Sequence, residues 1–350
     1  MKPNILPVAT ALVLCVLLSG LPAQEVKPAT ASEQPGTGKG AEEVAGAARK
    51  FLATLDEGQR GKVVFDFKDE AQRKRWSNFP SPMFRRAGLR MGDLSVPQRE
   101  AAMTVLAAAL SREGYEKVRQ IVESDEVLRI QEGGRRDGSI GRDHYFVSFL
   151  GQPSATEPWM IQFGGHHLGL NITLAGGKET LAPSHTGTQP AIFEFEGKTV
   201  RPLGGEADKA FALVESLSEP QRKRAILGVE MRDLVLGPGR DGQAIQPEGI
   251  PGSELSEKQR AVLLALAGEW IGIQGEATAK AKMEEVKKNL GETWFAWSGP
   301  IQKGAAAYFR IQGPTVIIEY APQRTGGDAS QHIHTIYRDP ANEYGAKWWK

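Results

Sequence analysis

The chain has 350 residues, of which 24% are charged and 40% hydrophobic, and its formal net charge is +1. A charge so close to zero gives no reason to expect a nucleic-acid partner or an acidic membrane surface. Its single cysteine, Cys15, lies in an N-terminal apolar run, so the rest of the chain has neither disulfides nor thiolate ligands.

Residues 1–23 have the pattern of a signal peptide. Lys2 is followed by a mostly apolar run from Ile5 to Leu18 and then by small residues. The run is shorter than the roughly 20 apolar residues of a membrane span, so it predicts a secretory signal. Residues 24–42 are rich in Pro, Thr, Ser, Gly and Lys and predict a flexible linker. We therefore expect an exported protein, periplasmic or extracellular, with no integral membrane segment after signal removal and one domain at 43–350.

A short pattern, Leu-(Ser/Asp)-x-x-Gln-Arg, occurs four times in this domain. The copies begin at Leu55, Leu94, Leu217 and Leu255. In three of them the Ser and Gln form a capping box, which predicts that a helix starts there. The spacing within the first pair is nearly the same as within the second, and His185-Thr186 recurs as His334-Thr335. The pattern predicts a tandem duplication with repeats at about 43–203 and 204–350.

In chain order, the first repeat predicts helices followed by strands. The helices are expected at 41–55, 95–112 and 115–130. The strands are expected at 63–67, 145–150, 159–163 and 166–174, with a hairpin at 191–200. Two prolines predict a loop at 76–82, and polar residues predict further loops at 132–142 and 175–190.

The second repeat predicts the same order. Its helices are expected at 206–217, 219–227, 257–270 and 276–290, and its strands at 293–297, 305–312, 315–320 and 331–337. Helices before strands in each half predict an α+β fold in which helices pack on one face of an antiparallel sheet. We expect the halves to be related by a pseudo-twofold axis, with a pocket at their seam.

Six histidines follow the linker, and none falls in a predicted helix. They are His144, His166, His167, His185, His332 and His334. In His332-Ile333-His334 both imidazoles leave the same face of a strand, about 7 Å apart along the chain. They can therefore converge on one metal ion bound about 2.0–2.1 Å from each nitrogen.

The third ligand is expected from His166 or His167, which follow Gly164-Gly165. These two point to opposite faces of a regular strand, so only one joins unless the backbone bulges. Such a site suits a divalent metal ion, with zinc favoured and copper, iron and manganese left open. The alternative is that these histidines are solvated or hydrogen-bond the sheet.

Other polar residues are candidates for catalysis or substrate binding. The catalytic candidates are Asp339, Glu319 and His185, and the substrate-binding candidates are Gln162, Asn171 and Arg338. Asp339 either orients a ligand histidine or forms an Asp-Pro turn. His185, in a predicted loop, is either a proton donor or an exposed loop residue, and Glu319 needs a partner if it faces inward.

The chain resembles the bacterial and fungal domain family DUF3500. The resemblance rests on Trp76-Ser77-Asn78-Phe79-Pro80, the Gln-Arg boxes, Gly164 to Leu168 and the stretch from His332 to Gly345. It covers about Ala47 to Lys350, and its most specific element is Gly-His-His-Leu. The resemblance implies a shared fold and supplies no catalytic residues.

Three function classes follow from these residues. The first is a metal-dependent hydrolase in which a metal-activated water attacks a small-molecule substrate. The second is a non-catalytic periplasmic or surface protein that binds a metal or small ligand. The third is a structural protein whose histidines merely hydrogen-bond the sheet. In that case we expect the histidines to be scattered over more than about 10 Å, since one ion cannot bridge such distances.

Overall fold

The computed structural model describes residues 40–133, 139–325 and 327–349. The predicted signal peptide, most of the predicted linker and part of the predicted loop at 132–142 lie outside the described residues. Within the described residues, no helix is both long enough and apolar enough to cross a membrane.

Several of the described helices begin at capping boxes. The described helices are α1 (Ala41–Ala53), α2 (Glu57–Val63), α3 (Glu70–Arg73), α4 (Val96–Ala109), α5 (Arg112–Gln131), α6 (Gly204–Ser216), α7 (Glu219–Ala225), α8 (Glu257–Ile271) and α9 (Glu276–Lys288). A full capping box starts α2, α4, α7 and α8, with Asp56, Ser95, Ser218 and Ser256 as the N-caps. The box satisfies amides that a helix N-terminus leaves unpaired, so the predicted helix starts are confirmed.

The strands form one large mixed sheet and one small hairpin. They are β1 (Val64–Phe65), β2 (Leu89–Arg90), β3 (Phe146–Leu150), β4 (Trp159–Gly165), β5 (Leu168–Ala175), β6 (Lys178–Thr180), β7 (Ser184–Thr188), β8 (Phe193–Phe195), β9 (Lys198–Val200), β10 (Ile250–Pro251), β11 (Trp294–Ser298), β12 (Tyr308–Gly313), β13 (Val316–Pro322) and β14 (Ile333–Arg338). The main path runs β1-β3-β4-β5-β7-β14-β13-β12-β11-β10, and β8 pairs with β9 alone. Only β1 pairs in parallel among the described strands of this sheet. The α+β class is therefore confirmed.

One face of the sheet is apolar and packs against helices. Strands β3 to β5 bury residues such as Phe149 and Ile172 against α1, α4 and α5, and strands β11 to β13 bury residues such as Phe309 against α6 and α8. Side chains alternate between faces along a strand, so the residues between these apolar ones point to the other side.

The opposite face is polar and is covered by irregular segments and the short helix α3. Gln72 of α3 donates to Gln162 of the sheet, and the backbone amides of Val235 and Leu236, in an irregular segment, donate to Glu319. His334 pairs with Gly187, which is two residues from His185 in β7. Paired residues share a face of the sheet, and so do residues two apart in a strand. His185 and His334 thus both lie on the polar face of the sheet.

Two expectations about the histidines are wrong in detail. His185 lies in the central strand β7 and is fully buried, where a loop was expected. His166 and His167 lie in the turn between β4 and β5, where a strand beginning at His166 was expected. The short polar and glycine-containing stretch of β7 lacks the apolar alternation that identifies strands. It is a strand because it pairs with β5 on one side and with the distant β14 on the other.

Candidate metal centre

The tight turn between β4 and β5 sets the position of the paired histidines. His167 has a φ of 62°, in the left-handed region that histidine adopts more readily than bulky or β-branched residues. This departure from extended backbone brings the rings of His166 and His167 to a centroid distance of 3.6 Å. Both rings therefore lie at one end of the sheet, although residues adjacent in a strand would point apart.

The ring of His167 rests on a glycine. A Cβ on Gly187 would lie 3.2 Å from His167 Cδ2 and 2.8 Å from the carbonyl oxygen of Ile333. Gly187 pairs with His334 across β7 and β14, so the space above it opens directly beside His334. The glycine lets the turn histidine reach the strand histidines.

Three imidazole nitrogens meet at this point. His332 Nε2 lies 3.0 Å from His167 Nε2 and 3.1 Å from His334 Nε2. All three residues are buried, with at most 8% of their surface exposed. The three nitrogens could hold a metal ion. The predicted convergence of His332 and His334 with one turn histidine is present, and His167 is that histidine.

Hydrogen bonds on the far side of two rings define their tautomers. His167 Nδ1 lies 2.8 Å from Asp125 Oδ1, and His332 Nδ1 lies 2.8 Å from the carbonyl oxygen of Thr325. An ionised carboxylate and a carbonyl only accept hydrogen bonds, so both Nδ1 atoms carry the proton. In the neutral rings the Nε2 atoms of His167 and His332 are then unprotonated, and their lone pairs face each other at 3.0 Å.

The environment keeps these rings neutral. Burial lowers the pKa of His167 well below its ordinary value, and burial lowers the pKa of His332 to about 4. Burial likewise lowers the pKa of His334, against the opposing effect of Asp233. The facing lone pairs of His167 Nε2 and His332 Nε2 repel each other unless a positive charge lies between them, and a metal ion would supply that charge. Nitrogens bound tetrahedrally at about 2.0–2.1 Å lie about 3.4 Å apart, close to the separations seen here.

Asp125 joins the two turn histidines and was not identified from the sequence. Its Oδ1 also lies 3.0 Å from His166 Nδ1, and Tyr145 donates to its Oδ2 at 2.6 Å. Burial opposes ionisation of Asp125, but the imidazoles of His166 and His167 hold its pKa well below the usual range. Asp125, His166 and His167 form a second group whose atoms could hold a metal ion.

A sequence signal for Asp125 did exist. The buried residues of α5 include Val118, Ile121 and Leu128, and Asp125 lies between Ile121 and Leu128 on the same buried side of the helix. An acidic residue on the apolar face of a helix requires a partner, which here is a histidine pair. Asn78, whose side-chain amide lies 3.2 Å from His334 Nδ1, has no comparable signal because it belongs to an irregular loop.

The other predicted catalytic residues are engaged in contacts of their own. Asp339 forms an ion pair with Lys282 at 2.6 Å. Glu319 accepts hydrogen bonds from Tyr308 and from two backbone amides. His185 is fully buried with its ring centroid 5.2 Å from that of His334, and neither ring nitrogen has a hydrogen-bond partner among the described residues. Burial lowers the pKa of His185 well below its ordinary value.

The predicted substrate-binding residues also have protein partners. Gln162 donates to the carbonyl of Arg73 and to Asn171, and Asn171 donates to the carbonyl of Pro183. Arg338 donates to the carbonyls of Leu236 and Gly237. The structure brings together the predicted metal ligands, whereas Gln162, Asn171 and Arg338 form hydrogen bonds with other parts of the protein.

Comparisons with known proteins identify a family and no relative of known activity. The family described as "Protein of unknown function (DUF3500)" matches residues 37–346, which is most of the chain. No curated protein and no solved structure matches the chain.

Proposed function

This chain belongs to the DUF3500 family, and we propose that it is a metal-dependent hydrolase whose ion is held by His167, His332 and His334. The proposal rests on one observation above the others, the facing unprotonated nitrogens of His167 and His332. Three neutral imidazoles suit zinc among the common divalent ions.

The ion would supply Lewis acidity and a nucleophilic water at neutral pH. Three protein ligands leave a tetrahedral ion one further position, which is the arrangement of catalytic rather than structural zinc sites. Asp125 holds the Nδ1 proton of His167 and so keeps its Nε2 free to bind metal. Beside it, His166 is bonded to Asp125 through Nδ1, which leaves its Nε2 to take or give a proton during hydrolysis.

Metal content tests the proposal directly. We expect purified wild-type protein, loaded with zinc and desalted, to retain about one ion per chain by elemental analysis. His332→Ala and His167→Ala should each lose most of it, whereas His144→Ala, which changes a histidine outside the cluster, should not. A wild type that holds no metal after loading, or variants that hold as much as the parent, would refute the site. The catalytic part of the proposal is tested with ester, amide and phosphoester probes. We expect the zinc-loaded wild type to hydrolyse at least one of them and both His332→Ala and His167→Ala to lose that activity.

A binding protein without catalysis is the second candidate. The observation that favours it is the burial of all three ligands, since His167 is fully buried and the others are at most 8% exposed. A carrier with this site would bind the metal and show no hydrolysis of any probe, so the same measurements separate the two.

We also propose the tandem duplication and the export predicted above. The sheet order supports a duplication, because β5-β4-β3 extend outward from β7 as β13-β12-β11 extend from β14. The central pair supports it as well, since Thr186 pairs with Thr335 while His185 and His334 lie one residue to either side. Export is supported by the sequence pattern of residues 1–23 and is tested by fractionating cells that express the full chain.

A further inference from the structure

His334 differs from the other two ligands in the position of its ring proton. His332 Nε2 carries no proton, because the Nδ1 of the same ring donates to the carbonyl oxygen of Thr325. His334 Nε2 lies 3.1 Å from His332 Nε2, within hydrogen-bond distance. A hydrogen bond between two nitrogens needs one proton, and His332 cannot supply it. Without a bound metal ion, the neutral ring of His334 therefore carries its proton on Nε2 and a lone pair on Nδ1.

Asn78 lies over the face of the His334 ring. Its side-chain nitrogen is 3.2 Å from His334 Nδ1 and 3.4 Å from His334 Nε2. A hydrogen bond in the plane of the ring extends outward from one nitrogen and away from the other. An atom that is almost equally far from both nitrogens must therefore lie above or below the ring. Asn78 thus leaves the in-plane direction of Nδ1 to another group.

The carboxylate of Asp233 lies beside that nitrogen. Its Oδ1 is 4.0 Å from His334 Nδ1, which is about 1 Å longer than a hydrogen bond. The same oxygen accepts hydrogen bonds from the amide of Leu234 and the side chain of Gln323. A carboxylate and an unprotonated ring nitrogen are both acceptors, so Asp233 and His334 have no proton to share while Nε2 carries it.

Asp233 belongs to an irregular segment, residues 226–249, that crosses the polar face. The amide of Met231 donates to Ser298 Oγ at 3.0 Å, and the amide of Val235 donates to Glu319 at 2.7 Å. Asp233 lies between these two attachment points, and its side chain is 67% exposed. A movement of about 1 Å by this side chain closes the gap to His334 while both backbone contacts remain.

We propose that Asp233 is a positioning residue of the metal centre, and that metal binding moves the proton of His334 to Nδ1 and closes Asp233 onto it. The inference rests on the proposed function, because it describes how that site holds its ion. The ion takes the lone pair of Nε2, the Nε2 proton leaves to solvent, and Nδ1 takes one proton from solvent, so the ring stays neutral. The new Nδ1–H donates to the Asp233 carboxylate, which orients the ring and raises its basicity.

Nitrogen-15 NMR of the histidine rings tests the proton shift in full-length wild-type protein near neutral pH, before and after zinc loading. The signals of His334 are those that a His334→Asn sample lacks. We expect the His334 proton on Nε2 without zinc and on Nδ1 with zinc. A protein that binds zinc while His334 keeps one tautomer throughout would overturn this proposal and leave the metal site standing. A protein that binds no zinc would refute the proposed function, and this inference with it.

Asp233→Ala tests the partner of His334 and changes an exposed side chain. We expect its zinc affinity, measured by competition with a chromophoric chelator, to fall at least about tenfold, and Asp233→Glu to recover most of the loss. Glu230→Gln removes another exposed acid from the same segment and should bind zinc like the parent. Equal affinity in the parent and Asp233→Ala, or a loss that Asp233→Glu shares in full, would overturn the proposal.

Limited proteolysis tests whether the segment responds to the metal. We expect zinc to slow cleavage by subtilisin within residues 226–249 of the wild type and of Glu230→Gln. In Asp233→Ala the rates with and without zinc should be equal, because the segment no longer contacts a metal ligand. Zinc protection of the same size in Asp233→Ala and the parent would contradict the closure of Asp233 onto His334.

Discussion

Asp125 and the carbonyl of Thr325 each accept a hydrogen bond from a histidine Nδ1, and this pair of contacts decides the chemistry of the cluster. Without those acceptors the two rings could share a proton between their Nε2 atoms and form an ordinary hydrogen bond. With them, both Nε2 atoms offer lone pairs to the same point. The positions of the Nδ1 protons therefore distinguish a set of metal ligands from a group of buried imidazoles that only hydrogen-bond each other.

Asp125→Asn tests whether the acceptor of the Nδ1 hydrogen bond controls metal binding. Loss of the carboxylate charge weakens its hold on the Nδ1 proton and reduces the basicity of His167, so we expect zinc affinity to fall about 10- to 100-fold. Competition with a chromophoric chelator measures it. Glu116→Gln, an exposed change on the same helix, should have no effect, and an unchanged affinity in Asp125→Asn would contradict the role given to this carboxylate.

Glu179 gives a prediction about pH. Burial raises the pKa of Glu179 from its ordinary 4.5 to about 7, although the amide of Gly275 donates to its carboxylate. The folded protein therefore keeps a proton that the unfolded chain loses, and the resulting stabilisation is complete below pH 4.5 and is lost as the pH rises to about 7. The denaturant midpoint of the wild type should decrease as the pH is raised across this window, and the decrease should be smaller in Glu179→Gln. The exposed Glu157→Gln variant is the control and should follow the wild type.

Irregular segments, together with the short helix α3, cover the polar face of the sheet. Glu319 holds one of them, because its buried carboxylate accepts the backbone amides of Val235 and Leu236. Arg338 holds the same segment through the carbonyls of Leu236 and Gly237. A long loop stays ordered over a polar face only when its backbone groups have such partners.

Glu319→Ala should release this segment. Three buried donors would lose their acceptor, so we expect the free energy of unfolding to fall by about 1–3 kcal/mol. Urea unfolding measures the loss, and limited proteolysis should cut residues 226–249 faster. The exposed Glu284→Ala variant is the matched control, and unaltered stability and cleavage in Glu319→Ala would show that the anchor is dispensable.

The whole molecule is held together across its middle by β7 and β14. Thr186 Oγ1 and Thr335 Oγ1 lie 2.7 Å apart, and Trp270 Nε1 donates to Thr335 Oγ1 from α8. All three residues are buried. The two core clusters lie on either side of this pair, so the sheet passes without a break from one to the other.

Thr335→Val removes the hydroxyl at nearly constant volume. Thr186 and the indole of Trp270 then lose a buried partner, and we expect a loss of about 1–3 kcal/mol in the free energy of unfolding. Chemical denaturation followed by tryptophan fluorescence measures it. Thr104→Val, at an exposed helix position, should change stability by much less. An equal loss in both variants would show that the buried contacts of Thr335 with Thr186 and Trp270 do not contribute specifically to stability.

Features that depend on neighbours a few residues apart could be predicted from the order of the residues. Capping boxes placed helix starts, because Ser and Gln satisfy amides within one turn. The two-residue period of a strand put His332 and His334 on one face, and the Gly-His-His-Leu run pointed to the family that the comparison confirmed.

Which histidine completes the ligand set, and what surrounds it, depends on contacts between distant parts of the chain. His167 enters because of a left-handed turn and a glycine in another strand, and Asp125 reaches it across 42 residues of sequence. Asn78 and His334 are separated by 256 residues. Contacts over such distances depend on how the sheet and its covering loops pack, and no local pattern of residue types encodes that packing.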